Sequence, residues 1–97
     1  MKGKQAMRIK AYATLRDLLG GSMMEVPLAG PTDVEHVLRR LVADCPPFGK
    51  KLWDDDGSPT GYVTILLNGR SVEYLAGMAT PVTEGDTIAL FPPVGGG

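Results

Sequence analysis

Apolar and polar residues alternate from Met7 to Tyr12, with Met7, Ile9 and Ala11 set against Arg8, Lys10 and Tyr12. This is the period of a half-buried strand. Thr14 to Leu19 carries leucines at 15, 18 and 19 and runs into Gly20-Gly21, which predicts one helical turn with a glycine stop. Ser22 to Pro27 is extended again and reads as the second arm of an antiparallel pair. The clearest element is a helix from Thr32 to about Cys45. Val34, Val37, Leu38, Leu41, Val42 and Cys45 form one apolar stripe at helical spacing, while Asp33, His36, Arg39 and Arg40 lie off it. Thr32, with Glu35 three residues on, is expected to cap its start, and Pro46-Pro47 its end.

Gly49 to Gly61 shows no period and reads as an irregular surface connection holding Trp53 and Asp54-Asp55-Asp56. Tyr62 to Leu67 and Arg70 to Tyr74 flank Asn68-Gly69, the strongest short-range hairpin signal. Leu75 to Met78 suggests a short turn, Thr83 to Asp86 a tight one, and Thr87 to Phe91 a last strand that Pro92-Pro93 stops. The order is strand, strand, helix, strand, strand, strand, then a glycine tail. A helix laid across a mixed sheet suits that order.

Ninety-seven residues suit one domain with a real core but no large substrate cavity. The net charge of -1 leaves no overall basic footprint, which argues against nucleic-acid binding. Residues 1–52 hold nine of the ten Lys and Arg, whereas residues 53–97 hold six of the eleven acids. Interleaving of the two halves in one small fold would mix these charges; an acidic face steering the C-terminal half toward a basic partner is the sharper alternative. No apolar run approaches the length of a membrane span, and Met1 to Ala6 lacks the apolar stretch of a secretory leader. A cytoplasmic protein is expected, with residues 1–6 as a flexible arm.

Most catalytic arrangements fail on arithmetic. The single histidine and single cysteine, His36 and Cys45, would sit on opposite helix faces, about 13 Å apart along the axis. No metal-ligand spacing and no phosphate-binding glycine loop is present, and the triple aspartate does not fit a calcium loop. His36 is expected to be solvated and Cys45 a buried structural thiol. What remains is Phe91-Pro92-Pro93-Val94-Gly95-Gly96-Gly97. The prolines hold the chain extended, and six residues after the strand can reach up to about 20 Å. Three residues without Cβ make a thin thread that enters a narrow cleft, presenting the terminal carboxylate. A frayed end is the plain alternative.

Leu67-Asn68-Gly69-Arg70, Leu75 to Pro81, Glu84-Gly85-Asp86 and Phe91 to Gly97 together resemble the second half of the MoaD/ThiS sulfur carriers, and Tyr12 to Arg16 resembles the segment after their first strand. The resemblance covers residues 7–97 and is nearest to MoaD-like small subunits of molybdopterin synthase. It implies an α+β, ubiquitin-like β-grasp fold: a mixed sheet of about five strands with one main helix across one face, spanning residues 7–91, and an extended tail at 92–97. It further implies that an adenylating enzyme of the ubiquitin-activating type, using ATP, joins Gly97 to AMP, and that a sulfur donor displaces AMP to leave a thiocarboxylate. Gly95 and Gly96, with Pro92, Pro93 and Val94, would thread into the partner. A molybdopterin synthase large subunit would then receive the sulfur. The chain itself would hold no metal or cofactor and would not be a catalyst alone. Many relatives have Ala or Ser at the position of Gly95, a change that affects chain ordering and no chemical step.

Alternation also suggests a partner surface. With Ile88 and Leu90, and Val63, Ile65 and Leu67, facing the helix, Phe91 and Leu66 face the other way and form an apolar patch beside the tail. Phe91 capping the core edge is the other reading. Functions open at this point are sulfur carriage for molybdopterin or tungstopterin, for cysteine, thiamine or tRNA thiolation, conjugation of Gly97 to protein amines, and a plain interaction module with an inert tail.

Overall fold

The computed structural model describes residues 6–93. Residues 1–5 of the expected arm and Val94, Gly95, Gly96 and Gly97 of the tail lie outside the described residues. Strand β1 spans Ala6–Ala11, beginning one residue earlier than the alternation suggests, and a short helix α1 follows at Thr14–Leu19. Strand β2, Met23–Pro27, runs antiparallel to β1 with Met7 opposite Val26 and Ile9 opposite Met24. Strand β3 is the two residues Thr32–Asp33, and the main helix α2 is Val34–Asp44.

The start of α2 corrects the expected cap. Thr32 is taken up by β3, which pairs with a later two-residue strand, β6, at Pro81–Val82. Asp33 caps the helix instead, its carboxylate accepting from the His36 N–H at 2.9 Å. Glu35 pairs along the helix with Arg39, at 3.1 Å, in place of closing a capping box. The apolar stripe is as expected where it matters most: Val34, Val37, Leu38 and Leu41 are buried. Cys45 lies just past the helix end and is only partly buried, packed against the core.

The segment after Pro46 is the larger correction. A 3₁₀ turn at Pro46–Phe48 leads directly into a short helix, α3, at Gly49–Leu52. Phe48 is fully buried and Leu52 is 2% exposed. Two apolar residues four apart thus anchor a segment too short to show a period. Trp53 packs beside the core with the Arg39 guanidinium 4.0 Å from its ring centroid, and Arg39 also donates to the Gly57 carbonyl. Asp54 to Pro59 remains an exposed loop, and Gly61 and Tyr62 are exposed and irregular as well, since the next strand starts only at Thr64.

Strand β4, Thr64–Leu67, turns through Asn68-Gly69 into strand β5, Arg70–Ser71. Asn68 and Gly69 both have positive φ, 51° and 87°, the backbone that a two-residue turn between twisted strands requires. The return strand is shorter than Arg70 to Tyr74, because Val72–Tyr74 forms a 3₁₀ turn that buries Val72. Another 3₁₀ turn, Gly77–Ala79, precedes β6. The final strand, β7, is Thr87–Phe91, as its alternation predicts.

The main sheet has the order β2-β1-β7-β4-β5. β7 lies at its centre, parallel to β1 and antiparallel to β4. One face packs on α2 through Met7, Ile9, Val26, Ile88 and Leu90, each at most 1% exposed. This is the five-stranded mixed sheet with a main helix that the β-grasp resemblance implies. No helix among the described residues is long and apolar enough to cross a membrane.

Candidate functional site at the end of the last strand

The residues that aim β7 are those of the two turn motifs. Asn68 Oδ1 accepts from the Thr87 N–H at 3.0 Å, and the Asn68 N–H donates to the Thr87 carbonyl at 2.8 Å. The Asn68 amide nitrogen donates to Asp86 Oδ1 at 3.1 Å, and Asp86 Oδ2 accepts from the Thr83 N–H at 2.8 Å. Motifs 18 residues apart in sequence are therefore one hydrogen-bonded clasp around the start of β7. Gly85, at φ 85°, donates its N–H to the Ala6 carbonyl and ties the same turn to β1. A strand held at its beginning and paired on both sides delivers its end in one direction.

Thr80 gives the intervening motif a structural role. It is 5% exposed; its hydroxyl donates to the Gly77 carbonyl at 2.7 Å and accepts from the Ala76 N–H, while its own carbonyl accepts from the Val34 N–H. This satisfies a helix-start donor that has no partner within α2.

At its far end β7 emerges between β1 and β4. Leu90 is buried opposite Ile65, and Phe91 stands opposite Thr64 on the other face. The Tyr12 N–H extends the ladder past β1 by donating to the Leu90 carbonyl at 3.1 Å. The Tyr12 ring then stacks on Phe91, with centroids 4.3 Å apart and planes 6° from parallel. Leu66 and Ala89 lie opposite one another in the next row, both half-buried. Phe91 and Leu66 thus share the outer face of the sheet, and Phe91 is roofed by a neighbour in place of standing alone.

Tyr12 is the residue that sequence reasoning missed, at 39% exposed the outermost member of this patch. Its outward parity was legible in the alternation with Arg8 and Lys10. What was missing was the parallel pairing of β1 with β7, which alone brings it to Phe91. Met23, opposite Lys10 and 48% exposed, continues the apolar surface across β2. Arg8 and Lys10 supply cations on the same face, with Glu25 opposite Arg8.

Backbone strain marks the turn beside the patch. Ala13, between Tyr12 and α1, has φ 56° and ψ -132°, a region costly for any residue with a Cβ. It turns the chain sharply after Tyr12 and so helps hold that ring on Phe91. Pro92 is half-buried and Pro93 exposed, so the chain leaves the sheet immediately after Phe91.

Titration shifts occur away from this face. His36 is raised above its ordinary value, chiefly by the 2.6 Å hydrogen bond to Asp33 and by that carboxylate's charge; Asp33 is lowered by the same bond and by the His36 N–H. Asp56 is lowered by the Ser58 N–H. His36 is exposed, as expected, but bonded. Among the described residues no group of three or more His, Cys, Asp or Glu is arranged to hold a metal ion.

A β-grasp sheet whose central last strand ends at Phe91 beside an apolar face, with Pro92 and Pro93 leaving the sheet, is the architecture of ubiquitin-like carrier and modifier domains. The chain belongs to the ThiS family, whose model matches residues 9–97. It is similar to small archaeal modifier protein 3 of Haloferax volcanii, 35% identical, with 94% of this chain and 98% of that protein covered. The crystal structure of small archaeal modifier protein 1 from the same organism superposes with a TM-score of 0.83 at 32% identity, covering 95% of this chain and 99% of that one. A Pyrococcus furiosus protein provisionally named molybdopterin converting factor subunit 1 superposes with a TM-score of 0.70 at 25% identity, covering 95% and 100%.

Proposed function

We propose that this chain is a carrier activated at the carboxylate of Gly97. The observation that supports the reading best is the clasped central strand, which ends at Phe91 under the Tyr12 ring, where Pro92 and Pro93 leave the sheet. An adenylating enzyme of the ubiquitin-activating type takes the outer sheet face at Phe91, Leu66 and Tyr12. Pro92, Pro93, Val94, Gly95 and Gly96 are the segment threaded into its cleft. There a Gly97 carboxylate oxygen attacks the α-phosphate of ATP, pyrophosphate leaves, and an acyl-adenylate forms. A sulfur nucleophile from a sulfur donor then displaces AMP and leaves a thiocarboxylate. The protein supplies no catalyst, only an aimed carboxylate and a docking face.

Two fates of the activated end differ in acceptor. Transfer of sulfur to a pterin precursor on a molybdopterin synthase large subunit is supported by likeness to the Pyrococcus protein. Conjugation to lysine amines is supported by the names and greater identity of the Haloferax relatives. Intact mass after incubation with the adenylating enzyme, ATP and a sulfur source tests the shared step: replacement of one oxygen by sulfur, mapped to the peptide ending at Gly97, is the expected result. An unchanged mass with no AMP adduct would sink the carrier reading. Isopeptides ending in Gly97 on cellular proteins would select the modifier, and product formation with the large subunit would select molybdopterin.

A further inference from the structure

A second surface lies at the same end of the fold. Leu18 of α1, Pro46 and Pro47, Lys50 and Lys51 of α3, and Thr60 and Tyr62 line an open depression of about 910 Å³. Its walls are leucine, proline and tyrosine, and its charges are all positive. Neither lysine has a carboxylate within ion-pair distance among the described residues. Lys51 Nζ sits 4.9 Å from the Tyr62 ring centroid, a cation–π contact that keeps the ammonium at the wall. The Thr60 hydroxyl donates to the Lys51 carbonyl at 2.6 Å and accepts from the Tyr62 N–H at 3.0 Å, so one side chain ties the two walls together. Lys50 lines this groove and also borders the neighbouring depression of Asp54, Asp55 and Asp56.

The groove adjoins the exit of β7. Tyr62 stands two residues before Thr64, the partner of Phe91, and α1 follows directly on Tyr12, whose ring covers Phe91. A protein gripping the chain end at Phe91 has this groove beside it. The groove presents two cations around an apolar floor, which favours carboxylates and repels a basic segment.

We infer that the Lys50–Lys51 groove is a second docking site for the enzyme that activates the tail, occupied by an acidic segment of that enzyme bearing one aliphatic or aromatic side chain. The carboxylates face Lys50 and Lys51, and the apolar side chain lies between the prolines and Tyr62. This rests on the carrier reading above. It adds a contact separate from the sheet face, one whose strength depends on ionic strength.

The test measures binding of the full chain to the purified adenylating enzyme at low and high salt, alongside adenylation of Gly97. The double variant Lys50→Glu, Lys51→Glu is expected to bind about tenfold more weakly at low salt, with a flatter salt dependence than the wild type. Lys51→Ala loses less, in the same direction, and serves where the double variant melts early. Equal affinity and salt dependence in these variants, with the wild type still adenylated, overturns the groove and leaves the carrier reading standing. An equal loss from Arg40→Glu, a cation lining a different depression, shows a general charge effect and also overturns it. A wild type that is neither bound nor adenylated overturns both.

Discussion

The two faces of the main sheet are made by the same strands and differ in what covers them. On the inner face Met7, Ile9, Val26, Ile88 and Leu90 are at most 1% exposed and meet Leu38 and Leu41 of α2. On the outer face the alternate positions carry Tyr12, Leu66, Ala89 and Phe91, apolar or aromatic but none buried, with Thr64, Thr87, Arg8, Lys10 and Glu25 beside them. A sheet face turned only to water alternates to polar residues. This one keeps an aromatic stack where a partner can reach it. Folding free energy is concentrated on the first face, and the second is the one proposed for recognition.

The comparison breaks most visibly at Leu38, which is fully buried. Leu38→Ala is expected to cost about 2–5 kcal/mol, the range for a buried leucine whose cavity cannot collapse. Thermal denaturation should show a large fall in Tm, with activation lost only as the protein unfolds. A Tm near that of the wild type would show that α2 does not carry the core.

Phe91→Ala should separate the faces. Losing the stack on Tyr12 costs about 1 kcal/mol beyond the area it covers, less than Leu38→Ala, while binding of the activating partner falls by more than tenfold, as for an aromatic anchor. Equal affinity with reduced Tm would make Phe91 a core residue and move the docking face elsewhere. Ala13→Gly sharpens the same boundary from the other direction. Relief of strain at φ 56° offset by glycine's extra unfolded-state freedom should leave a gain of up to about 1 kcal/mol. A loss measured by chemical denaturation would show that the turn is not strained.

The smallest effect is the pH response of the Asp33–His36 pair. His36 is raised in the folded state, so its contribution is complete below the unfolded value of 6.5 and is lost as pH rises through the folded value. Asp33 is lowered, so its contribution is present above 3.8 and lost as pH falls through its folded value. Stability should therefore decline slightly from pH 6 to pH 8 in the wild type, and His36→Ala should remove that slope. An unchanged slope would assign the decline to other groups.

Much of the architecture was legible because it rests on local physics. The period of two around Ile9 and Ile88, the period of 3.6 from Val34 to Leu41, and the positive φ demanded at Asn68-Gly69 each follow from residues near one another in the chain. The tail glycines and the outward parity of Phe91 and Leu66 were readable for the same reason. Phe48 and Leu52 were not: they end a 3₁₀ turn and a single-turn helix, and only burial in the core organises that segment. The cap moved from Thr32 to Asp33 because Thr32 pairs with Val82, fifty residues away, a contact no local motif encodes. Sequence by itself thus determined β1, β2, α1, α2, β4 and β7, the inward and outward sides of those strands, and the glycine end. Tertiary structure alone decided that Tyr12 covers Phe91, that Asn68 clasps Asp86, and that Lys51 meets Tyr62 in a groove, since each joins residues brought together only by the folded chain.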